Sequence, residues 1–224
     1  TEEERTATIN VKSADNTVTK TYKVLFKVLP KLDLFLCIGQ SNMAGYAPLD
    51  ESLGDMDELD NSYLLNSSNQ FEQASNPLNR YSTVAATGSN VLLGPSYSFA
   101  KSINSRSDIP VGLIVNARGG SSIENWTKGG TGSDKDTLYA PTMQRALEAK
   151  KWGTFRGILW HQGEANKADA AAYPAKLQQL VADLRNDLDD PNLLFVAGQI
   201  GTFGLNVTDF NNMIDTISKF VDHA

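Results

Sequence analysis

Ser41 is the serine of this chain best placed to act as a nucleophile. It lies within residues 39–43, which read GQSNM, and it follows the apolar run at residues 32–38. A serine on the turn that leaves a buried strand is held rigidly at the carboxyl edge of a sheet, where backbone amides can meet a developing oxyanion. The same turn could instead use its serine and asparagine to cap a helix. Taken alone, the motif supports both interpretations.

Two later segments offer other groups that acyl transfer from an ester requires. Residues 116–126 contain the glycine pair Gly119 and Gly120, and residues 160–164 read WHQGE and contain Gln162. Ester hydrolysis through an acyl-serine needs a nucleophile, a base and hydrogen-bond donors for the oxyanion. Glycines let the backbone approach a ligand closely, and Gln162 provides a side-chain amide. A plain turn and a loop hydrogen bond are the alternative explanations.

In their order and character, residues 39–43, 116–126 and 160–164 resemble the motifs of the SGNH hydrolases, specifically the branch of sialate O-acetylesterases and acetyl xylan esterases. The resemblance runs from about Leu32 to the end of the chain. It implies a serine esterase that removes O-acetyl groups from a carbohydrate such as sialic acid or xylan, without a cofactor. Two rival functions stay open: a lipid or simple-ester hydrolase, and a glycan-binding protein that keeps the fold without catalysis.

The same resemblance implies a role for each motif. Ser41 is the nucleophile. The oxyanion donors are the backbone amides of Ser41 and of Gly119 or Gly120, together with the side-chain amide of Gln162, which replaces the asparagine of other SGNH enzymes. Glu164 resembles a carboxylate partner of the catalytic histidine, although it could also cap a helix near residues 166–169.

The base is harder to assign, because the chain has only two histidines, His161 and His223. SGNH enzymes carry the base in a late Asp-x-x-His segment, whereas the residue three before His223 is Phe220. We therefore expect residues 219–224 to continue the last helix and the segment with the catalytic histidine to lie beyond Ala224. The alternatives are a rearranged site that uses His223, or His161 serving as the base.

Five further residues are candidates for contact with substrate because they lie within the three motif segments. A tryptophan after the glycine pair could stack on a sugar ring or wall an acetyl group, although a core position is an equal alternative. For His161 we favour an architectural role under the loop. The candidates are Gln40, Asn42, Arg118, Trp126 and His161.

Composition narrows the possible partners. The formal net charge of −6 argues against a nucleic acid or an anionic membrane surface. Cys37 is the single cysteine and lies in an apolar run, so we expect a small buried hydrophobe, no disulfide framework and no metal site. No apolar stretch approaches a membrane span, and the first residues lack a signal-peptide pattern. We expect an acetylated carbohydrate as substrate and a secreted or periplasmic location.

The pattern of elements explains how these motifs could meet. Buried strands are predicted at residues 34–38, 111–115, 157–160 and 193–200, with a short one at 63–65. Helices are predicted at about residues 94–104, 141–150, 173–188 and 209–221. This alternation predicts a three-layer α/β/α sandwich with a central parallel sheet, the flavodoxin-like fold that the SGNH resemblance implies. Sites in such sheets lie beyond the carboxyl ends of the strands, where the three motifs fall.

The first thirty residues follow a different pattern. Apolar and polar residues alternate on both sides of a turn near residues 14–16, which predicts a β-hairpin. A lone hairpin is marginally stable in water, so we expect residues 1–30 to be the remnant of a preceding β-sandwich module. A hairpin added to the catalytic domain is the alternative. Residues 31–224 then form the esterase domain, without its catalytic-histidine segment.

Overall fold

A computed structural model of the chain describes residues 3–28, 31–130 and 138–224. The chain forms two compact units, Thr1–Lys31 and Leu32–Ala224. In the described ranges the strands are β1 (Glu3–Lys12), β2 (Thr19–Val28), β3 (Leu32–Gly39), β4 (Ser62–Leu65), β5 (Phe71–Gln73), β6 (Val111–Val115), β7 (Gly153–His161) and β8 (Leu194–Ala197). The helices are α1 (Ser41–Ala44), α2 (Pro95–Asn104), α3 (Tyr139–Ala149), α4 (Tyr173–Leu188) and α5 (Thr208–Ile214). None of these helices has the length and apolar character needed to cross a bilayer.

The first unit contains the predicted β-hairpin, in which β1 and β2 pair antiparallel along their whole lengths. Its turn is organised by Asp15, whose Oδ1 accepts hydrogen bonds from Ser13 Oγ at 2.5 Å and from Thr17 Oγ1 at 2.8 Å. The bond from Ser13 and those from Thr17 favour the ionised carboxylate and lower the pKa of Asp15 to about 2. The hairpin is confirmed, whereas its origin in a β-sandwich module stays a prediction.

The second unit is built on a six-stranded sheet with the strand order β5-β4-β6-β3-β7-β8. Neighbouring strands from β4 to β8 run parallel, while β5 runs antiparallel to β4 at one edge. The predicted central parallel sheet is confirmed, and the short edge strand β5 is an addition to the prediction. Because β3 lies between β6 and β7, the three segments that carry the motifs leave neighbouring strands at the same edge.

Helices cover both faces of the sheet because its central strands are apolar on both sides. Leu34 and Leu36 of β3 belong to a core cluster shared with buried residues of α3 and α4. Cys37 belongs to a second cluster, with Tyr97 and Ala100 of α2. Side chains alternate between the two faces of a strand, so this division produces the predicted three layers. Cys37 is fully buried, and burial raises the pKa of its thiol to about 12, as expected for a small buried hydrophobe.

The end of the chain differs from the prediction. The apolar pattern predicts a helix over residues 209–221, whereas α5 ends at Ile214 and is followed by a 3-10 turn at Ile217–Lys219. Backbone groups of the tail bind other elements instead, as in the 3.0 Å hydrogen bond from Phe195 N of β8 to His223 O. Tertiary hydrogen bonds therefore replace the helical ones that the local pattern favours.

Gly39 is the last residue of β3, and its backbone conformation and surroundings leave no room for a residue with a side chain. Its φ is +144°, and a Cβ placed on it would lie 2.1 Å from His161 O. We expect Gly39→Ala to lower the free energy of unfolding by about 3 kcal/mol or more, since backbone strain and overpacking each cost roughly 1–3 kcal/mol. Urea denaturation measures this loss.

Gly88 offers a matched control for that substitution. Its φ is +76°, and a Cβ placed on it would meet no atom within 4 Å. Gly88→Ala should therefore lower the free energy of unfolding by only about 1–2 kcal/mol, because only the left-handed backbone is unfavourable for alanine there. Equal losses in the two variants would contradict the contact with His161 as the cause.

Candidate active site

Ser41 stands just beyond β3, where backbone hydrogen bonds join the ends of three strands. Gln40 N donates to His161 O of β7 at 2.9 Å, and Arg118 N, in the loop after β6, donates to Gly39 O at 3.1 Å. Ser41 is the first residue of α1, and its side chain is partly exposed. Within the described part of the chain its Oγ forms no hydrogen bond. The structure thus places a free hydroxyl on the predicted turn.

Gly119 is the glycine of the pair that lies beside Ser41. A Cβ placed on Gly119 would lie 3.8 Å from Ser41 Cβ and 3.2 Å from Tyr46 Oη. The missing side chain therefore leaves a space of about one methyl group between Ser41 and Tyr46. Gly120, in contrast, has a φ of +73° and no atom within 4 Å of its Cβ position, so its left-handed backbone shapes the turn and a side chain there would meet open space.

Tyr46 is a residue at this site that the sequence analysis missed. It is 45% exposed and lies in a loop after α1, where no apolar period or motif marks it. The available signal was an aromatic residue in an otherwise polar loop that directly follows the Ser41 motif. Its ring and hydroxyl form a wall of the space beside Ser41.

The loop that carries Gly119 is held in place by hydrogen bonds that the buried side-chain amides of Asn79 and Asn116 form. Ala117 N donates to Asn79 Oδ1 at 2.9 Å, and Asn79 Nδ2 donates back to Ala117 O at 3.0 Å. Asn116 Oδ1 accepts from Thr83 N at 2.8 Å, and its Nδ2 donates to Thr142 Oγ1 at 2.6 Å. These contacts hold the loop in one position, which is what a preorganised oxyanion donor requires.

Gln162 is fully buried and connects the three loops through its side-chain amide. Its Nε2 lies 2.7 Å from Asn166 Oδ1, 3.1 Å from Ser121 O and 3.2 Å from Gln40 Oε1. Its Oε1 accepts a hydrogen bond from Tyr173 Oη at 2.6 Å. The three acceptors come from the segments after β3, β6 and β7, so this single amide joins all three motifs.

These contacts bear on the predicted oxyanion role of Gln162. An amide nitrogen has two hydrogens, and both are directed to the three protein oxygens around it. In this arrangement the amide supports the loops, and donation to a substrate oxygen would require one of these acceptors to be exchanged. The oxyanion role of Gln162 stays a prediction.

Glu164 reaches across to the residue after the candidate nucleophile. Asn42 Nδ2 donates to Glu164 Oε1, while the other carboxylate oxygen, Oε2, is buried and has no partner among the described residues. The carboxylate thus lies at the site instead of capping the helix that follows. Its partnership with a histidine stays a prediction. Asn42 is exposed, and its contact with substrate also stays a prediction.

His161 ends β7, next to Gly39 in the register of the sheet. Its backbone carbonyl accepts a hydrogen bond from Gln40 N at 2.9 Å, and an architectural role for its side chain stays a prediction. Its ring lies against Gly198, since a Cβ placed there would be 2.7 Å from His161 Cδ2. The buried Nδ1 of the ring has no hydrogen-bond partner in the described ranges.

Two of the predicted substrate contacts are wrong because the side chains are inside the protein. Trp126 is 1% exposed and packs edge-on against Trp160, with ring centroids 5.6 Å apart, so it cannot stack on a sugar. Gln40 is 4% exposed, and its Oε1 accepts from the backbone N–H groups of Gly163 and Ala165. The side chain of Arg118 is partly exposed beside the glycine loop, where a contact with substrate stays a prediction.

His223 is not placed at Ser41, so its assignment to the catalytic site is wrong for this structure. Its carbonyl binds Phe195, which is in register with Ile158 and through it with Leu36 of β3. At about 3.3 Å per residue, Leu36 lies roughly 16 Å before Ser41 along the strand. The residue is exposed, with a φ of +54°, in a turn after the last 3-10 segment.

Glu124 is a second residue that the sequence analysis did not single out. It accepts hydrogen bonds from Lys176 Nζ at 2.7 Å and from Asn166 Nδ2 at 3.0 Å. Partial burial raises the pKa of its carboxyl group, but the bonds from Lys176, Asn166 and Ser122 outweigh burial and lower that pKa to about 2. Because Asn166 also contacts Gln162, the negative charge of Glu124 supports the buried amide network.

No group of three or more histidine, cysteine, aspartate or glutamate side chains within the described residues could hold a metal ion. Within the described residues, the groups brought together at this edge are a serine hydroxyl without a hydrogen bond, a glycine backbone, a carboxylate and a set of buried amides. A serine hydroxyl and backbone amides are two of the kinds of group that nucleophilic attack on a carbonyl uses.

Comparison with known proteins identifies similar chains. The family described as carbohydrate esterase, sialic acid-specific acetylesterase, matches residues 31–222. A probable carbohydrate esterase of Arabidopsis thaliana, At4g34215, is 29% identical over 195 residues, which cover 79% of this chain and 72% of that protein. The X-ray structure of that Arabidopsis protein superposes with a TM-score of 0.70 at 26% identity, covering 82% of this chain and 80% of its own.

Two more distant structures share the fold. NanS superposes with a TM-score of 0.62 at 16% identity, covering 86% of this chain and 75% of its own. XAC1771, a carbohydrate acetylesterase from Xanthomonas citri, also has a TM-score of 0.62, at 19% identity. That superposition covers 95% of this chain and 52% of XAC1771, so the present chain spans about half of that protein.

The lowered pKa of Glu124 predicts a pH-dependent contribution to stability. A carboxyl group whose pKa falls from about 4.3 in the unfolded chain to about 2 in the folded one stabilises the fold fully above the unfolded value. That contribution is lost as the pH falls towards 2. We expect Glu124→Gln to lower the melting temperature at pH 7 and to make little difference near pH 2, as measured by thermal unfolding.

Lys176→Met provides the control for this assignment. Without the ammonium group, Glu124→Gln should change the melting temperature at pH 7 less than it does in the parent chain. An undiminished effect would show that Lys176 does not stabilise the charge of Glu124.

Proposed function

Since this chain belongs to the carbohydrate esterase family of sialic acid-specific acetylesterases, we propose that it is a serine esterase that removes O-acetyl groups from a carbohydrate. The observation that carries the proposal is the free hydroxyl of Ser41 beside Gly119, at the edge where three loops meet. Acetylated sialic acid and acetylated xylan are the proposed substrates, and a secreted or periplasmic location stays a prediction. No cofactor takes part in the proposed reaction.

In the proposed reaction Ser41 Oγ attacks the carbonyl carbon of the acetyl ester. The sugar hydroxyl leaves with a proton, and an acetyl-serine remains. Water then cleaves the acetyl-serine and releases acetate. The backbone amides of Ser41 and Gly119 are the proposed donors to the negative carbonyl oxygen.

The proton of Ser41 needs a base, and the two histidines differ in position. His161 ends β7 at the edge that carries Ser41, whereas His223 lies beside Phe195, well before that edge. Of these two residues, His161 is the proposed base, because it lies at the edge that carries Ser41. Glu164, which binds Asn42 next to Ser41, is the proposed carboxylate that orients the base.

Glycan binding without hydrolysis is a second candidate function. It is favoured by one observation: His223, the late histidine of the chain, lies beside Phe195 and well before the sheet edge that carries Ser41. Incubation with acetylated sialic acid or acetylated xylan separates the two functions, because hydrolysis releases acetate while binding alone does not. Binding without acetate release would support the second candidate.

We expect Ser41→Ala to lower the rate of acetate release by roughly 10⁴–10⁶-fold. The melting temperature should not fall, since the hydroxyl forms no hydrogen bond with the described residues. The matched control is Ser98→Ala, which changes an exposed serine on α2. Release of p-nitrophenol from p-nitrophenyl acetate measures both variants. Full activity in Ser41→Ala would remove this serine from the mechanism.

The space beside Gly119 predicts a preference for short acyl groups. Tyr46 Oη closes this space after about one methyl group, and one methylene in an apolar pocket is worth roughly 10–200-fold in discrimination. We expect Tyr46→Ala to raise the rate on butyrate relative to acetate esters by at least about tenfold. Tyr46→Phe removes the hydroxyl oxygen that closes the space but keeps the ring, whose Cε2 lies 3.8 Å from the Gly119 Cβ position, so it should relax the preference only in part. An unchanged ratio in Tyr46→Ala would show that the acyl group binds elsewhere.

A further inference from the structure

We infer that Tyr173 and Asn166 are positioning residues that fix the orientation of the Gln162 side-chain amide and thereby hold the three loops of the site in place. The inference rests on the proposed function, because it assigns a role at the same site. It follows from the donors and acceptors that surround one fully buried amide.

The nitrogen side of the amide faces oxygen atoms whose identity is fixed. Ser121 O is a backbone carbonyl, which can only accept. Gln40 Oε1 accepts from Gly163 N and Ala165 N, both at 3.3 Å, so that atom is an oxygen. If the Gln162 amide were turned over, its own oxygen would face these acceptors and none of these contacts would be a hydrogen bond.

Asn166 is the third acceptor, and its own orientation is set from two sides. Its Oδ1 accepts from Ile123 N at 2.9 Å, and its Nδ2 donates to the Glu124 carboxylate at 3.0 Å. The oxygen of Asn166 must therefore face Gln162 Nε2, at 2.7 Å. The charge of Glu124 thus fixes the orientation of the Asn166 amide. The Asn166 oxygen in turn fixes the orientation of the Gln162 amide.

The oxygen side of the Gln162 amide faces Tyr173. The indole of Trp160 is a donor only, and its Nε1 donates to Tyr173 Oη at 3.0 Å. The tyrosine hydroxyl then donates to Gln162, whose backbone O lies at 3.2 Å and whose side-chain Oε1 is the nearer acceptor at 2.6 Å. That shorter distance is typical of O–H···O bonds and short for N–H···O bonds. Trp160, Tyr173 and Gln162 are each at most 1% exposed, so water cannot replace a lost partner.

A tyrosine pair separates this role from a general loss of stability. Tyr173→Phe removes the donor to Gln162, whereas Tyr139→Phe removes a similarly buried hydroxyl that donates to Asp187 Oδ2 at 2.8 Å, on α4. Both variants should lose melting temperature. We expect only Tyr173→Phe to lower kcat for p-nitrophenyl acetate, by about tenfold and with KM nearly unchanged, because it leaves the buried Gln162 Oε1 without its donor.

A second measurement does not depend on activity. In ¹H–¹⁵N spectra the side-chain NH₂ protons of Gln162, assigned by their loss in Gln162→Ala, should exchange slowly with water. Tyr173→Phe and Asn166→Ala should each speed that exchange by about tenfold or more, while Tyr139→Phe should leave it unchanged. If Tyr173→Phe does not fold, Trp160→Phe tests the same chain of donors and should speed the exchange less.

The outcomes separate the two claims. If the parent chain hydrolyses no ester, the proposed function fails, and the NH₂ exchange alone decides the role of Tyr173 and Asn166. Unchanged exchange in both Tyr173→Phe and Asn166→Ala would overturn the inference. So would a fall in kcat in Tyr139→Phe equal to that in Tyr173→Phe.

Discussion

The structure of the site depends on the need of one buried amide for hydrogen-bond partners. A polar group at zero exposure that lacks partners costs roughly 1–3 kcal/mol, and Gln162 avoids this cost by contacting groups from every motif loop. The loops after β3, β6 and β7 can satisfy this amide only together. The polar network therefore holds the loops at the sheet edge in place, as apolar packing holds the helices against the sheet.

The parts of the fold that the sequence predicts are those in which local pattern and tertiary structure agree. The apolar period over residues 173–188 matches α4, and the apolar run at residues 34–38 lies within β3. The end of α5 illustrates the opposite case. There the apolar period continues to residue 221, but hydrogen bonds from β8 and α4 hold the tail in a turn, and nothing local announces them.

For the site, the sequence predicts which segments meet but not which way their side chains point. Ser41, Gly119 and Gln162 meet at one edge because the strands before them are neighbours. Trp126 lies in the core, where its indole N–H donates to Ser121 Oγ at 3.2 Å and its ring packs against Trp160. Tyr46 lies beside Gly119, and Glu124 binds Lys176 and Asn166. These partners are distant in sequence, so the apolar pattern does not predict the contacts.

The contrast between Ser41 and its surroundings is itself an argument about function. Beneath the sheet edge each described amide of the network is used, including those of Asn79, Asn116 and Gln162. The hydroxyl of Ser41 is partly exposed and forms no hydrogen bond with any residue that the structure describes, and it lies next to a glycine whose missing side chain leaves room for a ligand atom. A scaffold that only needed a helix cap would not require such rigid support around a free hydroxyl. Attack on a carbonyl requires rigid donors around the reacting group, because the donors must already be in place when the charge develops.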